Sequence, residues 1–147
     1  MHFVAVKSEE QQAALMLHKT HDLLVRQRTT LINALRAQVG EYGIVKAHGP
    51  AGVNSLLALV LEAQDAVPVY AQSVLRSIVA QFHGLVREIE HLEKQILGWH
   101  RHGEVSQRLA TVLGIGPITA SAIAATVPDA SVFRSGSEFA AWLGLTP

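Results

Sequence analysis

The chain contains no cysteine, which excludes disulfides, thiol nucleophiles and cysteine-based zinc sites. It has no excess charge of either sign. Twelve Lys and Arg balance twelve Asp and Glu, so no global field draws the chain to nucleic acid and any such binding must come from a local patch. Aromatic residues make up only 5%, and Ala, Leu and Val carry the apolar content, which favours helices over a β-sandwich. Long hydrophobic runs are missing too: stretches such as 55–61 are too short to cross a bilayer. Residues 1–7 lack the apolar core of a signal peptide, so the expected location is cytoplasmic and no membrane partner is expected. What is present, 49% hydrophobic and 16% charged over 147 residues, describes a globular chain of one domain, or one small domain with a long helical element.

Catalytic patterns are equally scarce. Asp65, Asp129 and Glu138 are isolated by spacing, while Glu88, Glu90 and Glu93 read as a solvated helix face, so the converging carboxylates of two-metal chemistry are not expected. Among eight histidines, His18 and His21 share a helix face, but His-Glu-x-x-His is absent, and neither a metal nor any cofactor is expected in this chain. Those two histidines read as polar surface or phosphate contacts. Ser135 and Ser137 read as helix caps and Ser121 as a small packing residue, so no serine is assigned a catalytic role.

Helix signals are plentiful. Ser8 with Gln11 forms a capping-box pattern that opens a helix over about 8–39, stopped by Gly40 and Gly43. Its stripe of Leu17, Leu24, Leu31 and Leu35 is interrupted by His21 and Arg28. Arg26, Arg28 and Arg36 make this the most basic region and the leading nucleic-acid contact by charge, against the plain alternative of a solvated helix face. Arg28 and Arg36, eight residues apart, lie near one face and Arg26 points elsewhere. A turn-rich stretch containing Gly49-Pro50 precedes a short apolar helix over 53–63, broken at 65–68.

The next pattern has the most regular period. Leu75, Ile78, Phe82, Leu85, Ile89, Leu92, Ile96 and Trp99 alternate spacings of three and four, an a/d seam on a helix over about 69–100. Such a seam needs a cover, either the first long helix or a second copy of the chain. A coiled-coil homo-oligomer is the expectation.

From Leu113 to Ala125 the chain reads as the turn and second arm of a helix-hairpin-helix whose first arm spans 104–112. Gly114 and Gly116 are expected to take positive φ on either side of Ile115, which plugs the core, and Pro117 suits the first position of the second helix. Amides of Gly114, Ile115 and Gly116, the Thr119 hydroxyl and the nearby Arg108 are then candidates for holding a phosphate. No charged residue occurs from Ile115 to Val127, which instead favours a structural hairpin of small, closely packed residues. Ser135 with Glu138 forms a second capping-box pattern before a final helix over 139–143 closed by Gly144. The expected fold is all-α, with a helical linker and coiled-coil arm over 1–103 and a truncated hairpin domain over 104–147.

These motifs carry a resemblance. Gly114-Ile115-Gly116-Pro117 with Thr119-Ala120, Phe133 and the run Phe139-Ala140-Ala141-Trp142-Leu143-Gly144-Leu145-Thr146-Pro147 resembles the C-terminal domain of insertion-sequence transposases of the IS110/IS1111 group. Val6-Lys7-Ser8-Glu9-Glu10-Gln11-Gln12, His18, Arg26-Gln27-Arg28-Thr29 and Leu31-Ile32-Asn33 resemble the linker of the same group. The resemblance implies a DNA recombinase guided by an element-encoded RNA, with DNA and guide RNA as partners. It also implies a RuvC-like domain with acidic ligands for a divalent metal, and a serine nucleophile beyond the Gly-Leu-x-Pro stretch. Neither set of catalytic residues maps onto this sequence, so the chain is expected to contribute nucleic-acid binding and oligomerisation to DNA transposition without catalysing it alone. The plainer alternative is a coiled-coil oligomerisation module with a structural hairpin.

Overall fold

The computed structural model describes residues 7–45, 49–62, 67–127, 129–142 and 144. Six helices account for most of them: α1 (Glu9–Gly40), α2 (Pro50–Glu62), α3 (Val69–His102), α4 (Glu104–Ala110), α5 (Pro117–Thr126) and α6 (Gly136–Trp142). A single 3-10 turn (Ala130–Val132) precedes α6, and no strand occurs among the described residues. The fold is all-α, as the composition and the periodic patterns predict. Among the described residues no helix is long and apolar enough to cross a membrane. Residues 1–6, Asp65, Pro128, Leu143 and the final 145–147 of the C-terminal motif lie outside the described residues.

The helix ends follow local chemistry. The Gln11 backbone N–H donates to Ser8 Oγ at 3.1 Å, and the Ser8 N–H donates to Gln11 Oε1 at 3.0 Å, completing the first capping box. At the other end of α1 the chain reverses through Gly43, whose φ of 74° admits no ordinary side chain cheaply, and its N–H donates to Gly40 O at 2.9 Å. Helix α2 starts at Pro50, three residues before its expected start at 53, because proline fits a first helical position that lacks a carbonyl partner anyway. Helix α3 runs two residues past its expected end, and His100, Arg101 and His102 fill its last turn, where the Arg101 cation offsets the negative end of the helix dipole.

Residues 19–94 form one compact unit. Its core joins Ile32, Leu35 and Val39 of α1, Leu56, Leu57 and Val60 of α2, Val67, and Leu75, Val79 and Phe82 of α3. Leu35 and Leu56 are completely buried. The α3 seam is therefore covered within the chain here. Leu75 and Phe82 belong to that core, Leu85 and Ile89 are also buried, and Ile78 is packed against it. His21 Nε2 lies 3.1 Å from Glu93 Oε1, tying α1 to α3. This corrects two expectations, since His21 faces a carboxylate rather than a phosphate and Glu93 is not a free solvent-face acid.

Residues 1–18 and 95–147 form the other unit. Ile96 is buried in it, while Trp99 is partly exposed. Near its C-terminal end Phe133, Phe139 and Trp142 group together, with ring centroids 5.1–6.2 Å apart. The second capping box differs from expectation by one residue. The Glu138 N–H donates to Ser135 Oγ at 3.2 Å, but Glu138 Oε2 accepts from the Arg134 N–H at 2.7 Å rather than from Ser135. The 3-10 turn is capped by Asp129, whose carboxylate accepts from the Ser131 hydroxyl at 2.6 Å and the Ser131 N–H at 2.8 Å.

Those two bonds favour the ionised form, the hydroxyl first, and hold the Asp129 carboxyl below its ordinary value. The sign follows from linkage. A depressed pKa contributes stability that is complete above the unfolded value and is lost as pH falls through the folded one. An NMR titration should find Asp129 protonating at lower pH than an unstructured aspartate, and Ser131→Ala should move it back up. An ordinary pKa insensitive to that substitution would contradict the cap.

Candidate nucleic-acid interface

The strongest sequence motif becomes two short helices joined by a tight turn. Gly103 leads into α4, and after Ala110 the chain coils on through bonds from the Thr111 N–H to Arg108 O at 3.2 Å and the Val112 N–H to Leu109 O at 3.1 Å. The Ile115 N–H then closes the turn onto Val112 O at 3.0 Å. Gly114 sits at φ 90°, in the region that disfavours L side chains. Gly116 does not: it is the N-cap of α5, with φ −78° and ψ 168°, ordinary extended backbone. The expectation of positive φ at both glycines thus holds for Gly114 alone, because Pro117 at the first helical position needs only an extended residue before it.

Exposure sorts the remaining hairpin residues. Leu113 is wholly exposed and Ile115 half-buried, so Ile115 covers the core edge rather than plugging the core. Gly114, Gly116, Thr119 and Arg108 are exposed. No side chain caps the first turn of α5. Behind this exposed edge the packing is close and small: Ala120, Ala124, Ala125, Ser106 and Ser121 are buried, letting α4 and α5 approach.

Both buried serines are satisfied by histidines. Ser121 Oγ lies 2.9 Å from Ile118 O, to which it can donate, and 3.0 Å from His18 Nε2. Ser106 Oγ lies 2.7 Å from His100 Nδ1. His18 is therefore a packing partner of α5, not a surface phosphate ligand. Nothing in the sequence links His18 to Ser121 across 103 positions.

The three arginines of α1 separate. Arg26 is exposed and pairs with Asp22 at 2.6 Å, one helical turn away, which cancels much of its outward charge. Arg28 and Arg36 line one cleft of about 490 Å³ in the 19–94 unit, together with Asn54 of α2 and His83 of α3. The sequence puts the two arginines on a shared face but has no signal for Asn54 or His83, which other helices supply. Among the described residues no group of three or more His, Asp or Glu side chains is placed to hold a metal ion. The acidic ligand set implied by the resemblance therefore does not fit the residues described.

Comparison with known proteins decides the family. Residues 106–147, from α4 onward, match the family Transposase IS116/IS110/IS902. The whole chain aligns at 41% identity with 38% of the length of the y4pF/y4sB protein of Sinorhizobium fredii, assigned as a transposase. It aligns at 43% with 44% of a Pseudomonas aeruginosa protein assigned to the family 20 transposases. A third relative, the transposase for insertion sequence element IS1328 of Yersinia enterocolitica, is 36% identical over 43% of its length. The chain belongs to the IS116/IS110/IS902 transposase family. It spans about two fifths of the length of these relatives, and no solved structure matches it. Within the family the matched segment is the one that contains the α4–turn–α5 edge described above.

Proposed function

We propose that this chain is a nucleic-acid-holding and assembly part of an insertion-sequence transposase, acting in DNA transposition without supplying the bond-breaking groups. The observation that carries the reading is the coincidence of the family match with the exposed edge of α4–turn–α5. In a helix-hairpin-helix arrangement the amides of Gly114 and Gly116, the Thr119 hydroxyl and the uncapped positive end of α5 face a backbone phosphate, and Arg108 flanks it, whereas the Ile115 N–H is spent on Val112 O and is no donor. Because α5 has no charged residue, this edge holds a strand by hydrogen bonds and dipole, and its contribution is modest. The charge-driven part falls to α1, through Arg28 and Arg36 more than through the paired Arg26. DNA is the partner the family suggests, and a guide RNA would present the same phosphate chemistry.

Assembly is the second role. Most of the α3 seam is already covered inside each unit, so a homo-oligomer through Leu75, Ile78, Phe82, Leu85, Ile89, Leu92, Ile96 and Trp99 requires exchange of that packing between chains. Ile78, Leu92 and Trp99 are the seam positions that stay partly exposed and so open to a second copy.

Titration of the purified chain with duplex DNA and folded RNA over about 50–200 mM salt, with solution mass recorded alongside, tests both roles. The expected result is binding that weakens linearly with salt on logarithmic axes. Absence of binding at the lowest salt, from a folded chain, would leave only the assembly role.

A further inference from the structure

We propose that the cleft between α1, α2 and α3 in the 19–94 unit is a binding site for the backbone phosphates of a nucleic-acid strand, with Arg28, Arg36, Asn54 and His83 as its donors. The inference rests on the nucleic-acid reading above and assigns it a place outside the hairpin. Four observations converge on it. The cleft has a volume of about 490 Å³, ample for phosphate groups, and no carboxylate is found among its described lining. Three of its polar side chains are unspent: Arg28, Asn54 and His83 make no side-chain hydrogen bond or ion pair among the described residues, although the His83 ring meets Phe82 edge-on. The Thr29 hydroxyl is committed, to Val25 O at 3.1 Å. Arg36 reaches only Asn33 Oδ1, through Nη1 at a long 3.4 Å.

The third observation is the Arg36 Nε–H itself, which is buried and has no acceptor among the described residues. A buried guanidinium N–H without a partner is costly, and a small shift of the Arg36 side chain toward an anionic oxygen in the cleft would remove that cost. The fourth is the apolar backing. Phe82 forms part of the wall, and charges held against a low-dielectric surface interact more strongly than charges on an open helix face. Arg28 and Arg36 are two turns apart on α1, roughly 12 Å at 1.5 Å per residue, so the pair suits an extended backbone better than one isolated ion. Arg26, on the same helix and closer in sequence, contributes nothing here because it faces away and is paired to Asp22.

The test uses the full chain. Arg28→Gln with Arg36→Gln is compared with Arg76→Gln plus Arg87→Gln, which removes the same charge from exposed positions of α3 outside the cleft. Circular dichroism and thermal unfolding establish that each variant is folded, and Arg28→Lys with Arg36→Lys restores the charge. Affinity for duplex DNA and for a folded RNA is measured across salt, and inorganic phosphate is tested separately for its effect on the melting temperature. The expected outcome is on the order of a tenfold or greater loss for the glutamine pair in the cleft, with the salt slope falling by roughly 2. The lysine pair should recover part of that loss, and the α3 pair should leave affinity nearly unchanged. Equal losses for the two glutamine pairs, or no loss in the cleft variant, overturn the cleft while leaving nucleic-acid binding standing. A wild-type chain that binds no nucleic acid overturns both. Phosphate that stabilises the wild type when no strand binds would make this a small-anion site and reject the proposal.

Discussion

Leu35→Ala is expected to destabilise the 19–94 unit by about 2–5 kcal/mol, the range for a fully buried leucine whose surroundings cannot collapse into the space. Leu35 is completely buried, and its neighbours in the core come from α2 and α3 as well as α1. Urea unfolding followed by circular dichroism measures the effect. Phe82→Ala, in the same core, should cost about 3–5 kcal/mol, and it discriminates between two ways of covering the α3 seam. If the seam is covered within one chain, the loss is independent of protein concentration. If it is covered by a second copy, the midpoint shifts with concentration and the substitution also lowers the solution mass. A concentration-independent loss of the expected size would establish the intrachain core, whereas a Leu35→Ala variant as stable as the parent would refute it.

The second large effect concerns the hairpin. Gly114→Val should cost about 1–3 kcal/mol, because φ of 90° places Cβ against its own backbone and a β-branched side chain makes that worse. Gly116→Val should cost far less. Its φ of −78° and ψ of 168° suit any residue, and a Cβ there meets nothing within 4 Å. The two glycines flank one residue, so the contrast removes most differences of environment. Thermal unfolding of the two variants decides the matter. Comparable losses at both positions would mean that Gly116 also needs left-handed backbone, as the sequence pattern alone suggests. If the exposed edge also holds phosphate, Gly116→Val should weaken nucleic-acid binding by crowding the first turn of α5 without a matching loss of stability.

Helix type and element order are legible in the sequence by itself. The capping box at Ser8 and Gln11, the three-four spacing of Leu75 to Trp99, the glycine-rich turn before Pro117 and the absence of strand signals are local patterns. They set helix type and most helix ends through hydrogen bonds within a few residues, which is why the element order agrees with expectation. The small residues of α5 likewise announce close helix packing. Family membership is legible for a related reason, since its motif residues recur in order along the chain.

Tertiary structure decided what each face meets. The α3 seam has the same period whether a second chain or α1 and α2 cover it, and only the packing of Leu35, Leu56 and Phe82 into one core places the cover within the chain. His18 and His21 look alike in sequence. One is hydrogen-bonded to Ser121 and the other lies against Glu93, because each is half-buried beside a different helix. The φ of Gly116 differs from that of Gly114 because the proline after it demands an extended predecessor, a rule weaker than glycine's freedom when read from sequence alone. Asn54 and His83 join Arg28 and Arg36 only through the association of three helices. Hydrophobic period and capping act over a few residues and can be read along a chain, whereas the partner of a buried or charged side chain depends on distances that only the folded chain defines.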